Sequence, residues 1–152
     1  MHDEKPLVKF RTDAAHYIAD ACVVWCYNDR FYPLLKKFGK KKGFAHIDLV
    51  KVAGGAKALA ADGSDADEAA AREFLTGQIR ASVRLHAAKR IVLMLHRDCE
   101  SYGGSKAFAD APAERARCEA DLRAARAYVH REIPAVAVDT VFADFDGLYE
   151  IE

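Results

Sequence analysis

Four short runs of apolar, β-forming residues alternate with longer helical segments, and this alternation constrains the fold more than any other feature of the chain. The runs predict strands over residues 21–27, 47–52, 90–95 and 136–142. Helices are predicted between them, over residues 30–38, 67–87 and 112–131. Because strands joined by crossover helices run in parallel, we expect an α/β protein with a small, mostly parallel β-sheet flanked by helices on both faces.

Length and composition limit the class of protein further. The chain has 152 residues, of which 51% are hydrophobic and 30% charged, so we expect a single domain over residues 1–152. The formal net charge is zero, which favours neither nucleic acid nor a membrane surface as a partner. The start, Met1 to Pro6, contains no apolar h-region, and a cytoplasmic location is expected. The four cysteines are then expected to be thiols or metal ligands rather than disulfides.

Cysteine and histidine residues stand at the carboxyl ends of two predicted strands. Cys26 ends the first strand, and His96 and Cys99 follow the third. In parallel sheets, ligands bind at this end of the strands. Two thiolates and an imidazole are suitable zinc ligands, and a site with three protein ligands keeps a fourth position open, as catalytic zinc sites do. The alternative is that the cysteines belong to the core and that the His-x-x-Cys spacing is incidental.

Cys22 is a further candidate ligand, but strand geometry argues against it. At about 3.3 Å per residue, Cys22 and Cys26 would lie roughly 13 Å apart along a strand. Two sulfur atoms that share a zinc ion must lie within about 4 Å of each other. Cys22 can therefore join only if its segment is not a strand, and His96 and Cys99 need a turn between them. Cys118 lies on the predicted inward stripe of the last helix and is interpreted as a core residue.

The segments around these candidate ligands resemble the motifs of the β-class carbonic anhydrases. That family has Cys-x-Asp-Ser-Arg after its first strand and His-x-x-Cys-Gly after its third. The corresponding segments here are Cys26–Arg30 (CYNDR) and His96–Glu100 (HRDCE). Val52–Gly55 (VAGG) stands where the family has a similar small-residue loop, and the resemblance extends in order from residue 20 to residue 145.

The resemblance implies both a cofactor and a reaction. It implies Zn²⁺ held by Cys26, His96 and Cys99, and the reversible hydration of CO2 to bicarbonate through a hydroxide on the zinc ion. It also implies a homodimer or a dimer of dimers that acts on this small-molecule substrate, with no nucleic-acid or membrane partner expected.

Three positions depart from the family motifs. The family aspartate that accepts a hydrogen bond from the zinc-bound water corresponds to Asn28, and the family serine corresponds to Asp29. Asn28 cannot take up a proton, although its carbonyl oxygen can accept a hydrogen bond and orient a hydroxide. Arg30 matches the family arginine that holds the aspartate, so the predicted catalytic group is Arg30 with Asn28 or Asp29. Glu100 replaces a glycine, and its carboxylate is expected either in the metal cleft or in solvent.

Two glycine pairs are predicted to contact the substrate. Gly54 and Gly55 follow the second strand, and Gly103 and Gly104 follow the His-x-x-Cys segment. The second pair permits a tight turn whose exposed backbone N–H groups would bind an anion such as bicarbonate. The alternative is an ordinary turn.

Two other functions stay open at this point. Because of Asn28, the chain is also compatible with a zinc-binding relative that lacks CO2 hydratase activity and has a binding or regulatory role, or hydrolyses another heterocumulene such as COS or CS2. Lysines at positions 36, 37 and 40–42 are interpreted as a solvated loop, with an anion-steering or RNA-contacting patch as the alternative. His46 and His86 are assigned to packing or to the surface.

Overall fold

A computed structural model of the chain describes residues 4–152. The expectation of no h-region concerned Met1 to Pro6, and the first three of these residues lie outside the described part. The strands are β1 (Ala21–Cys26), β2 (Ile47–Val52), β3 (Arg90–His96), β4 (Ala137–Asp144) and β5 (Gly147–Ile151). The α-helices are α1 (Tyr32–Lys42), α2 (Ala66–His86) and α3 (Ala111–Glu132). No helix within the described residues combines the length and the apolarity needed to cross a bilayer.

The five strands form one sheet in the order β2-β1-β3-β4-β5. The first four strands pair in parallel, and β5 runs antiparallel to β4. Two apolar layers cover the sheet, because successive side chains of a strand point to opposite faces. One layer joins Val24 and Leu93 to α2 and α3, and the other joins Val23 and Met94 to α1. The predicted α/β class, with a mostly parallel sheet and helices on both faces, is confirmed.

The chain after β4 folds back as a hairpin, although no strand was predicted beyond residue 142. Asp144 pairs with Gly147, and Phe142 pairs with Tyr149. The turn spans Asp144–Gly147, and an aspartate at the first position and a glycine at the fourth are typical of a β-turn. This hairpin adds β5 to the edge of the sheet next to β4.

The lysine-rich stretch belongs to α1 rather than to a loop. The helix was predicted to end at Gly39, but it continues to Lys42 and ends at Gly43, which has the left-handed backbone typical of a helix C-terminus. Gly39 is instead buried within the helix, where an added Cβ would lie 3.1 Å from Ile47. Lysines in the last turn are favourable there because the helix dipole is negative at this end.

Candidate metal centre

Cys26, His96 and Cys99 come together at the carboxyl ends of β1 and β3. One donor atom from each side chain lies within 4.8 Å of the other two. All three side chains are buried, with between 1% and 3% of their surface exposed. The arrangement forms a cluster of two sulfur atoms and one imidazole nitrogen that could hold a metal ion.

The hydrogen bonds of His96 leave one ring nitrogen available to a ligand. Nδ1 lies 2.6 Å from the carbonyl oxygen of Arg97, so Nδ1 carries the proton and donates it. Nε2 then bears the lone pair, and it is buried without a hydrogen-bond partner among the residues described. A buried polar atom without a partner costs about 1–3 kcal/mol, and a metal ion would satisfy it. Donation from the other ring nitrogen to a carbonyl oxygen is typical of metal-binding histidines.

The two cysteines change each other's acidity in opposite directions. The hydrogen bond from the Cys99 thiol lowers the pKa of Cys26, and the backbone N–H of Asn28 lowers it as well. The pKa of Cys99 is raised by its hydrogen bond to Cys26 and by burial. Without a metal ion, Cys99 therefore holds its proton more tightly than Cys26 does. Since metal ligands must be deprotonated, binding of a dication releases this proton.

A left-handed residue, Asp98, makes the turn that brings His96 and Cys99 together. Its φ angle is +56°, which is uncommon for a residue with a Cβ atom. The side chain of Asp98 is held at both oxygens. The backbone N–H of Ser105 donates to Oδ1 at 2.8 Å, and Nη1 of Arg30 donates to Oδ2 at 3.1 Å. These contacts, led by that of Ser105, keep the pKa of Asp98 below its usual value.

Arg30 contacts the turn after β3 as well as its own segment. Its Nη2 lies 3.1 Å from the backbone oxygen of Asp98, in addition to the ion pair with the Asp98 carboxylate. Its Nε and its backbone N–H both donate to Oδ1 of Asn28, at 3.2 and 3.1 Å. Arg30 therefore joins the segment of Cys26 to the segment of Cys99.

Comparison with known proteins bears on the fold. No protein-family model matches the chain, and no curated protein matches it. Solved structures do match. Carbonic anhydrase from Streptococcus mutans aligns with a TM-score of 0.57 at 14% identity, over 90% of this chain and 84% of that chain. The β-carbonic anhydrase isoform I from Trichomonas vaginalis aligns with a TM-score of 0.60 at 10% identity, over 94% of this chain and 87% of that chain.

A β-carbonic anhydrase of Aspergillus fumigatus also aligns with a TM-score of 0.60, at 11% identity, over 95% of this chain and 94% of that chain. This chain has the β-carbonic anhydrase fold. The resemblance inferred from the two sequence motifs is thus confirmed at the level of the fold.

Within the β-carbonic anhydrase fold, Asn28 and Asp29 lie where the family motif has its aspartate and serine. Oδ1 of Asn28 accepts two hydrogen bonds from Arg30. Asp29 is exposed, and no hydrogen bond or ion pair joins it to Arg30 within residues 4–152. The carboxylate beside Arg30 is instead Asp98, which the sequence analysis did not single out. Neither Asp29 nor Glu100 contributes an atom to the cluster of possible metal ligands in this part of the chain.

Gly54 and Gly55 follow β2 and lie near the carboxyl ends of β1 and β3. A Cβ atom on Gly55 would lie 2.4 Å from the backbone oxygen of Met94 and 3.2 Å from the backbone nitrogen of Cys26. At Gly54 it would lie 3.0 Å from the hydroxyl of Ser101. Gly55 therefore permits close approach to the backbone at the ends of β1 and β3, and Gly54 leaves room for the side chain of Ser101. Their contact with a substrate stays a prediction.

The backbone N–H groups of Gly103 and Gly104 are used within their own loop. Gly103 donates to the carbonyl oxygen of Glu100 at 2.9 Å, and Gly104 donates to that of Cys99 at 3.0 Å. The free N–H groups that were expected to bind an anion are therefore engaged. Gly104 has another role, because a Cβ atom there would lie 3.1 Å from Oδ1 of Asp98. Its small size makes room for the Asp98 carboxylate.

A buried carboxylate beneath the turn was not anticipated. Glu114 of α3 is only 2% exposed, and its Oε1 accepts the backbone N–H of Asp98 at 2.6 Å. Its Oε2 accepts the hydroxyl of Ser105 at 2.8 Å. The sequence did contain a signal for it: Glu114 lies four residues before Cys118 and so falls on the inward stripe of α3. A charged residue at an inward position is rarely buried unless it is paired, so a partner could have been sought.

The remaining cysteines and two histidines lie outside this cluster. Cys22 and Cys118 are buried in the apolar layer beneath α2 and α3, as expected for core thiols. Burial raises the pKa of Cys22 to about 11 and that of Cys118 to about 12. His46 and His86 pack against Tyr17, with ring centroids 5.0 and 4.3 Å from its ring, which agrees with their assignment to packing.

Proposed function

We propose that this chain is a zinc-dependent carbonic anhydrase that catalyses the reversible hydration of CO2 to bicarbonate, with zinc held by Cys26, His96 and Cys99. One observation carries the proposal: His96 lies with Cys26 and Cys99 in a buried cluster of possible metal ligands, and its Nε2 has no hydrogen-bond partner among residues 4–152. Sulfur and imidazole donors suit zinc, and three of them leave a fourth position for a reacting molecule. The similar solved structures are carbonic anhydrases, which makes CO2 the proposed substrate.

Zinc bound at this site would lower the pKa of a water molecule towards neutrality and so supply the nucleophile for CO2. The residues of the chain hold the ligands in place and manage protons. Cys26 and Cys99 would both be thiolates in the loaded site, which requires the loss of the proton that Cys99 holds. Two thiolates neutralise a dication fully, and this increases the demand on neighbouring polar groups.

Arg30 is the proposed organiser of these polar groups. It joins Asn28 to Asp98 and so connects the segments that carry Cys26 and Cys99. The uncharged Asn28 cannot take up the proton that a carboxylate at this position would accept. We therefore expect CO2 hydration with a reduced rate, in which solvent or buffer accepts the proton.

Asn28 also supports a second candidate function, that of a zinc protein of this fold without CO2 hydratase activity. The specific observation is that Oδ1 of Asn28 accepts two hydrogen bonds from Arg30, and this uncharged side chain cannot take up a proton. Such a protein would have a binding or regulatory role, or would hydrolyse another heterocumulene such as COS or CS2.

Metal content and CO2 hydration, measured on the same purified sample, test both candidates. Elemental analysis is expected to give about one zinc ion per chain. Stopped-flow CO2 hydration is expected to exceed that of Cys99→Ala, while Cys118→Ala, which removes a buried thiol outside the cluster, is expected to keep both zinc and activity. Zinc with a hydration rate equal to that of buffer would support the second candidate, and sulfide release from COS would then be measured. A chain without zinc would refute both.

We also propose that the chain forms a homodimer or a dimer of dimers. β2 is an edge strand of the sheet, and Leu49 on this strand is 40% exposed. Edge strands present unpaired backbone groups, which soluble proteins usually cover or protect. Light scattering coupled to size-exclusion chromatography measures the mass directly, and a monomer at all concentrations would refute this proposal.

A further inference from the structure

The turn between His96 and Cys99 is fixed along its backbone by neighbouring elements. The N–H of Arg97 donates to the carbonyl oxygen of Ala143 in β4 at 2.9 Å. The next N–H, that of Asp98, donates to the carboxylate of Glu114 at 2.6 Å. The second contact is different in kind, because a charged side chain from α3 reaches the turn that carries both candidate ligands.

Asp98 needs such support because its backbone is left-handed. This conformation is unfavourable for a residue with a Cβ atom and persists where the surroundings hold it. Arg30 and the backbone N–H of Ser105 hold the side chain of Asp98, whereas Glu114 holds its backbone N–H. Hydrogen bonds to an ionised acceptor are among the strongest that proteins make.

The burial of Glu114 is itself informative. Its two oxygens are satisfied by Asp98 and Ser105, and Nε of Arg97 lies 3.9 Å away. An apolar residue of similar volume often packs in such a position with no loss of stability. Packing alone therefore does not explain a buried carboxylate in the first turn of α3. Its side-chain hydrogen bonds are to Asp98, in the turn after β3, and to Ser105.

We propose that Glu114 is a positioning residue of the candidate metal centre. By holding the left-handed turn at Asp98, it sets the distance between the donors of His96 and Cys99. This inference rests on the proposed zinc site, but it does not depend on CO2 as the substrate.

The test compares Glu114→Met, which keeps the approximate size of the side chain and removes both acceptors, with Glu119→Met on the same helix. Glu119 pairs with Arg115 and Arg123 and does not contact the turn. Zinc affinity is measured by competition with a chelator, and ligand geometry by the absorption spectrum of the Co²⁺-loaded protein. Glu114→Met is expected to weaken zinc binding about 10- to 100-fold and to change the Co²⁺ spectrum, while Glu119→Met leaves both unchanged.

Two further variants separate positioning from general stability. Glu114→Gln can still accept from Asp98 and contact Ser105, so it is expected to restore most of the zinc affinity. Asp98→Gly relieves the backbone strain, because glycine adopts the left-handed region freely. Glu114→Met is therefore expected to weaken zinc binding less in the Asp98→Gly background than in the wild type.

Wild-type zinc affinity and an unchanged Co²⁺ spectrum in Glu114→Met would overturn the inference. A lower melting temperature of the metal-free protein with unchanged affinity would also overturn it, since this is the signature of a purely structural role. A wild-type chain that binds zinc but does not hydrate CO2 would remove the hydratase proposal alone. A wild-type chain that binds no metal would overturn both.

Discussion

Substitution of Gly55 tests how closely the chain after β2 packs against the carboxyl ends of β1 and β3. The φ angle of this glycine is +54°, and a Cβ atom there would lie 2.4 Å from the backbone oxygen of Met94. This oxygen also accepts the N–H of Ala56 at 3.0 Å, so it cannot move away without loss of a hydrogen bond. Gly55→Ala therefore combines a left-handed alanine, which costs about 1–2 kcal/mol, with an overlap that costs about 1–3 kcal/mol.

Gly43→Ala is the matched control for this substitution. Gly43 also has a positive φ angle, +72°, but an added Cβ atom would meet nothing within 4 Å. Urea denaturation of both variants is expected to show a loss of about 1–2 kcal/mol for Gly43→Ala and about 2–5 kcal/mol for Gly55→Ala. Equal losses in the two variants would show that the backbone of β3 does not approach Gly55 as described.

Three other predictions concern the candidate metal centre. Asn28→Asp is expected to raise the CO2 hydration rate, because it supplies a carboxylate beside Arg30; an unchanged or lower stopped-flow rate would contradict this. Because the pKa of Cys99 is raised, zinc uptake is expected to release about one proton near neutral pH, and zinc affinity is expected to rise with pH. Titration with zinc in weak buffer and an indicator dye measures this release, and uptake without it would contradict a protonated Cys99. Arg30→Ala is expected to change the free energy of unfolding by less than about 1 kcal/mol, since its ion pair with Asp98 is partly exposed; a larger change in urea denaturation would assign it a role in stability.

The fold could be predicted from the sequence because its main signals are local. The apolar runs of β1 and β3 are buried along almost their whole length, as strands covered on both faces must be. The candidate ligands could also be predicted from the sequence, because Cys26 and His96 directly end these strands. The hairpin with β5 was missed because no strand was predicted beyond residue 142, although Asp144 and Gly147 are residues typical of a β-turn.

The environment of the ligands was less predictable, because it depends on contacts between distant segments. Arg30 and Asp98 are 68 positions apart, and Asp98 and Glu114 are 16 apart. The anion-binding role of Gly103 and Gly104 stays a prediction, and it depends on another kind of information. Whether a backbone N–H is free depends on the course of the loop, and here both groups bond to carbonyl oxygens of the preceding turn.

The position of the carboxylate beside Arg30 links these observations. In the family motif this carboxylate follows the first cysteine by two residues, where Asn28 stands here. In this chain the carboxylate is Asp98, directly before Cys99, and its side chain is fully engaged by Arg30 and Ser105. A charge held there stabilises the turn that carries the ligands. Under the proposed function, the Arg30–Asp98 pair would support the turn that carries the candidate ligands, and the uncharged Asn28 would not accept a proton.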